Sequence, residues 1–499
     1  MIVNNAGTNS ALSVQTLIDM RNQLVDLQRQ LGTGKKATSY AGLGLDRGLT
    51  VGLRAHLSAM AGYSQTISEV GVRLDLAGTA LSQLDSIGRD AKSTVMKSQF
   101  ALGSGNQTLD QRTAYLQFDQ MLSVLNTSTG GRHLFAGRNV DQPAVATADH
   151  IMNGEGTRAG LKQIIAERRL ADLGTSGLGR LAVSAPSTTS VQLDEDASPF
   201  GFKLSGAVSG LTGSTVSGPA GSPASLSVDL GPTNPAPGET VRFTFAMPDG
   251  TSQDLTLTAT NSATPAANEF TIGVISDVTA ANLQTALTQA LGRLAATSLT
   301  AASAVAAAGN FFNTDASNPP QRVDGPPFDS ATGLVDGTAA NTVSWYTGES
   351  GADGARTTAI ARVDQSLTLS YGVRANEEGL RMAVQSIAVF AATTFSATDP
   401  NAEASYISLK QRVTAQLEGL PGKQKITDIE GDIAAVHNAL QTAESRHLQT
   451  KGTLAQLLQD VEGAPTEEVA AKILALQTNL QATLQTTAML LRTNLLEYI

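Results

Sequence analysis

The residues with the best claim to chemistry lie between Leu27 and Leu57, in "LQRQLGTGKKATSYAGLGLDRGLTVGLRAHL". Gly32, Gly34 and Lys35 suggest a phosphate-cradling loop. Such a loop needs a glycine five residues before Gly34 and a hydroxyl residue after Lys35, and Arg29 and Lys36 occupy those positions. Gly42, Gly44 and Gly48 lack dinucleotide-fingerprint spacing and follow no strand signal. None of the five histidines, His56, His133, His150, His437 and His447, has a second histidine three or four residues away, as a helical metal site requires. "DEDASPF" lacks the spaced ligands of a calcium loop and is expected to be a solvated acidic turn, and "GESGADGAR" a turn between a strand and a helix. There is no G-x-S-x-G elbow. The expectation is no enzyme, no cofactor, no metal site and no catalytic residue.

Composition points the same way. The chain has 499 residues, a net charge of −10 and no cysteine. The acidic balance argues against nucleic acid or an anionic membrane as partner, and disulfides and thiolate metal sites are impossible. The opening "MIVNNAGTNSALSVQ" has no signal-peptide pattern, and no run is apolar and long enough to suggest a membrane span.

The glycines of the quoted stretch make sense as punctuation. Leu17, Met20, Leu24, Leu27 and Leu31 recur in steps of three and four, a heptad seam that ends at Gly32 and Gly34. Lys35 and Lys36 then fall at a carboxyl helix end, where positive charge is favoured. A longer helix is expected beyond Gly48, through Leu53, Leu57, Met60, Ile67, Val70, Leu74, Ala77, Leu81, Leu84, Ala91 and Val95. The last third mirrors this: Ile426, Ile429, Ile433, Val436, Leu440, Ala443, His447, Leu454, Leu457 and Val461, a break at Pro465, then Val469, Ile473, Leu476, Leu480, Leu484 and Leu491. His447 on this seam is expected to be packed. Such narrow stripes need partner faces, so the candidate assembly interface is Leu17, Met20, Leu24, Leu27, Leu31, Ile473, Leu476, Leu480, Leu484 and Leu491.

Between the two ends the chain is rich in Ser, Thr, Gly and Pro, and 183–345 carries a net charge of −9. Val241, Phe243, Phe245 and Met247 alternate up to Asp249–Gly250, and the chain returns through Leu255 and Leu257, which predicts a hairpin. "FTIGVI" reads as a strand and Thr279–Leu294 as a helix, prolonged by an Ala-rich run through Ala308. Helix is expected to resume near Val363 and continue to Phe390. The fold class is α+β multidomain: a coiled-coil-like bundle of the terminal segments, with 1–140 as its N-terminal half, 141–182 a transition segment with a short helix, 183–346 a variable β-rich outer domain, and 347–499 the C-terminal half.

The two ends, "LVDLQRQLGTGKKATSYAGLG" with the helix after it and "AAKILALQTNLQATLQTTAMLLRTNLLEYI", resemble the flagellin superfamily, most closely its hook-associated, hook–filament junction branch. "GGRHLFAGRNVDQPAV", "WYTGESGADGARTTAIARVDQSLTLSYGVRANEEGLR" and the closing "NLLEYI" resemble that branch. The likeness covers roughly the first 180 and last 155 residues. "SYAGLGLD" stands where many members have an Asp-Asp-Pro-Ala step. The resemblance implies an extracellular structural subunit, exported unfolded by the flagellar type III apparatus. Its partners would be copies of itself, other hook-associated and flagellin subunits, and an export chaperone. Filament flagellin is the rival reading; a secreted adhesin is a more distant one.

Overall fold

A computed structural model describes the backbone of residues 4–103, 105–314 and 319–496, with side-chain surroundings from 14 to 489 of these. The fold is α+β and multidomain. It divides into two compact units, Met1–Val70 with Arg362–Thr368 and Asn438–Ile499, and Gly71–Ala361 with Leu369–His437.

The first unit begins with α1 (Asn4–Thr33), separated from α2 (Arg47–Lys97) by a 3₁₀ turn, Tyr40–Asp46. Gly34 takes a φ of +67°, the left-handed conformation expected of a residue just past a helix end. On the part of α2 in this unit Leu53, Ile67 and Val70 are buried and Leu57 and Met60 half-buried, and on its part in the second unit Leu74, Ala77, Leu81, Leu84, Ala91 and Val95 are buried.

The second unit continues with α3 (Leu109–Leu125), the small hairpin β1 (Ser128–Thr129) and β2 (Arg132–His133), α4 (Ala148–Asn153) and α5 (Leu161–Leu173). At the start of α3 the Thr108 hydroxyl accepts from the Gln111 N–H, and the Gln111 side-chain carbonyl accepts from the Thr108 N–H, a reciprocal capping box. Gln111 is fully buried, and its amide nitrogen donates to the carbonyls of Phe390 (2.9 Å) and Thr393 (2.8 Å). Thr108→Ala removes only the hydroxyl half of this arrangement and should lower stability by about 1–2 kcal/mol, read as a shift in the denaturant midpoint.

Two four-stranded sheets follow. The first has the order β3-β4-β7-β6, built from β3 (Leu181–Ser184), β4 (Ser190–Glu195), β6 (Thr215–Gly221) and β7 (Ala224–Asp229). The second has the order β10-β9-β8-β5, from β5 (Lys203–Ser209), β8 (Thr240–Ala246), β9 (Ser252–Thr260) and β10 (Glu269–Thr271), with β10 parallel to β9. The expected hairpin is β8–β9, with Val241 opposite Leu257 and Phe243 opposite Leu255. Val241, Phe243 and Phe245 point inward, as period-2 alternation requires. One core joins Val191, Leu193, Leu226 and Val228 of the first sheet to these residues and to Leu283, Leu287 and Leu291 of α6 (Ser276–Leu294).

After a π-helical turn at Ala295–Leu299 the Ala-rich run becomes α7 (Thr300–Phe312). Ser276–Phe312 is long and apolar enough to cross a membrane by length and composition, contrary to the sequence expectation. Here most of its large apolar residues are packed, Val278 being the exposed exception: α7 is buried on most of its circumference and contacts α5, α8 (Glu378–Ala392) and α9 (Ala402–Glu418). Its small side chains permit that close approach from several directions. Trp345, the chain's single tryptophan, is fully buried and donates its indole N–H to the Phe312 carbonyl at 2.8 Å.

Two expectations fail here. Residues 363–377 are not helical: β11 (Gln321–Val323) pairs with β12 (Leu334–Asp336), and β13 (Ile360–Arg362) and β14 (Thr368–Ser370) form a hairpin before α8 starts at Glu378. Gly372 shows why, since a Cβ there would fall 2.1 Å from the Thr358 hydroxyl and 2.4 Å from the Ala355 carbonyl, a close approach open only to glycine. Nor is "DEDASPF" a solvated turn. Asp194 and Glu195 lie on β4, where Asp194 accepts from Ser225 and Gln192 and Glu195 from the Leu204 N–H, while Asp196 pairs with Arg180 at 3.0 Å.

Candidate assembly interface

The chain's two ends meet in the first unit. Helix α10 (Ile426–Glu462) ends at Gly463, and α11 (Thr466–Leu496) begins after Pro465. The Gly34 carbonyl accepts from the Ala464 N–H (2.9 Å), the Lys36 N–H donates to the Glu462 carbonyl (2.8 Å), and Lys35 and Gly463 form an antiparallel bridge. The end of α1 therefore lies beside the start of α11, and the two helices pack antiparallel.

The glycine–lysine run thus has a structural use. The Lys36 ammonium donates to the carbonyls of Asp460 and Val461, both at 3.0 Å, and so caps α10 rather than the helix it follows in sequence. Arg54 of α2 clamps Glu462 through two hydrogen bonds of 2.9 and 2.7 Å. That hydrogen bond holds the Glu462 carboxyl below the ordinary glutamate value of 4.5. A depressed carboxyl contributes stability above its unfolded value and loses it as pH falls through the folded one. Acidification from pH 4.5 downward should therefore loosen this junction, and Arg54→Ala should remove that part of the pH dependence. Hydrogen exchange of the Gly34–Tyr40 amides at a series of pH values reads it out.

Along the α1–α11 seam, Leu24 and Leu27 pack on a small core of Ala464, Val469 and Ile473. Leu17 and Met20 on α1, and Leu476 and Leu480 on α11, are half-buried as well. Two of the expected interface residues lie off the α1–α11 seam of the single chain. Leu31 is 43% exposed, because it lies in the last turn of α1, level with the Gly463–Pro465 linker instead of a helix. Leu484 is 49% exposed, and Thr483 and Thr487 are the half-buried residues in its neighbourhood. Positions 473, 476, 480, 483 and 487 keep the alternation of three and four, whereas the step from Leu480 to Leu484 follows apolarity off the stripe. The Leu491 side chain lies outside the described residues. On α10 the same slip occurs: Leu457 is 46% exposed and Leu458 takes its half-buried place.

A second set of apolar residues lies off the seam. Val14, Ile18 and Val25 of α1 are all exposed, as is Leu474 of α11. Ile18 and Val25 each follow a seam leucine, which rotates them about 100° around the helix. Their spacing, four then seven, was the available signal.

The histidines are dispersed. His447 is buried against Tyr63, with ring centroids 5.8 Å apart, and its Nε2 lies 3.5 Å from the Asp364 carboxylate. His437 faces Asp75 at 3.2 Å, and His133 Nδ1 is 2.9 Å from the Asn126 carbonyl. Among the described residues no group of three metal-binding side chains converges. What the terminal pair offers is helix-on-helix contact: a closed seam on one side and uncovered apolar residues on another. Neither a protein-family model nor a curated protein matches the chain.

Proposed function

We propose that the chain is an extracellular structural subunit of the bacterial flagellum that assembles as a ring at the hook–filament junction, its terminal helices forming a coiled-coil-like bundle with those of neighbouring copies. The observation that carries this reading is the α1–α11 pair itself, in which the two chain ends occupy each other's seam yet leave Val14, Ile18, Val25, Leu31, Leu474 and Leu484 uncovered. Heterologous contacts of that kind, repeated from copy to copy, close into rings or wind into tubes. The likeness of both termini to the flagellin superfamily supports the same reading, with export unfolded, an export chaperone, and other hook-associated and flagellin subunits as partners. The acidic sheet-rich segment would then face outward.

Filament flagellin shares such termini and is the second reading. Labelling the protein on purified flagella separates the two: a band at the distal end of the hook is expected, label along the whole filament makes it flagellin, and no label on the flagellum defeats both.

A further inference from the structure

A second feature of the molecule owes nothing to the terminal helices. In the second unit, the β1–β2 hairpin turns through Gly130 and Gly131, both at positive φ, and presents Arg132 and His133 toward α2 and the segment after β14. Between them is a notch of about 60 Å³ lined by Arg73, Thr129, Arg132, His133, Thr358 and Tyr371 over an aliphatic floor. No carboxylate lines it. Arg73 donates to the Tyr371 hydroxyl at 3.4 Å, and among the described residues neither Arg73 nor Arg132 has an acidic partner within ion-pair distance. Asp75, two residues beyond Arg73, is instead engaged by His437 at 3.2 Å.

Elsewhere this acidic chain pairs several half-buried arginines with carboxylates: Arg168 with Asp172, Arg322 with Glu167, Arg356 with Glu377, Arg412 with Asp249. Around this notch half-buried Arg73 and exposed Arg132 come together with no carboxylate among the lining residues. Guanidinium forks match the two oxygens of a carboxylate or phosphate, and hydroxyls of threonine and tyrosine can complete the donor set. The volume suits one small oxyanion group and is several-fold below that of a nucleotide-sized pocket.

We propose that this notch is an oxyanion site that takes a single carboxylate or phosphate group, held by Arg73 and Arg132. The group is either a free anion or an acidic side chain of a second copy of this chain. The test uses the full-length protein and inorganic phosphate as probe, titrated calorimetrically at constant ionic strength. Wild type should bind saturably; Arg132→Gln should weaken binding about tenfold or more, as expected for loss of a charged hydrogen bond, and Arg132→Lys should retain part of it. Arg73→Gln should behave like Arg132→Gln. Should Arg73→Gln fail to fold by circular dichroism, the exposed Arg132 carries the test. Sedimentation then separates the sources. If phosphate dissociates self-associated wild type and Arg132→Gln associates less, the natural occupant is a second copy's carboxylate. If sedimentation is unchanged while phosphate still binds through the arginines, the occupant is a free anion. Absence of saturable binding, or equal binding by wild type and both glutamine variants, overturns the proposal.

Discussion

Val25→Asp should leave the isolated chain folded and melting as before, yet unable to assemble. Val25 is 58% exposed and lies off the α1–α11 seam, so an aspartate there stays in water in the monomer. Surface substitutions of this kind fall within about 0.5 kcal/mol of neutral. In the proposed assembly a neighbouring copy covers that face, and the same carboxylate would be desolvated at a cost of several kcal/mol in every copy. Circular dichroism and thermal melts should superimpose on wild type, while cells carrying the variant shed flagellin into the medium and show bare hooks by electron microscopy. Ile473→Asp is the contrasting substitution, because Ile473 is buried within the seam and its change should also unsettle α1–α11 pairing in the monomer. Normal filaments on Val25→Asp cells would remove this face from the assembly and with it the main support for the flagellar reading.

Glu167→Ala should cost about 3–5 kcal/mol of stability, the range for breaking a buried ion pair from one side. Glu167 on α5 is 3% exposed, and both its oxygens are bonded by Arg322 of β11, with Gln163 donating at 3.0 Å. Arg322 also donates to the Asn341 carbonyl, so the alanine variant leaves a guanidinium held in place with its counter-charge gone. Replacing both partners by hydrophobic residues, as in Glu167→Leu with Arg322→Met, should restore much of the loss. Trp345 fluorescence follows the denaturant transition in this unit. A loss below about 1 kcal/mol for the single substitution would mean that water reaches Arg322 once the glutamate is gone.

What the sequence disclosed depended on how local the determining physics is. Burial of Ile67, Leu74, Leu81 and Leu84 followed from period alone, and the β8–β9 hairpin from alternation around Asp249–Gly250. Leu457 and Leu484 were misplaced because hydrophobicity was followed where the helix period carries the stripe to a neighbouring position, Leu458 in one case and Thr483 in the other. Helix near Val363 was expected from composition, but Gly372 is committed to a close approach against Thr358 and Ala355 that no local pattern announces. The carboxylates of "DEDASPF" looked solvated because their partners, Ser225, Leu204 and Arg180, are distant in sequence or on another strand. The notch of Arg73, Arg132 and Tyr371 draws on three separated segments and was invisible for the same reason.

The buried amide of Gln111 has a consequence for how freely its position can change. Its carbonyl must face the Thr108 N–H while its nitrogen faces two carbonyls from the far end of α8. Glutamate would turn an oxygen toward those carbonyls, asparagine is one methylene too short to reach both helices, and an aliphatic residue would strand the Thr108 N–H and the Phe390 carbonyl, leaving Thr393 only the longer bond from Gln107. One side chain type satisfies the position, so even the nearly isosteric exchange of Gln111 for glutamate should part the start of α3 from the end of α8, while full burial shields the amide from the water that would hydrolyse it.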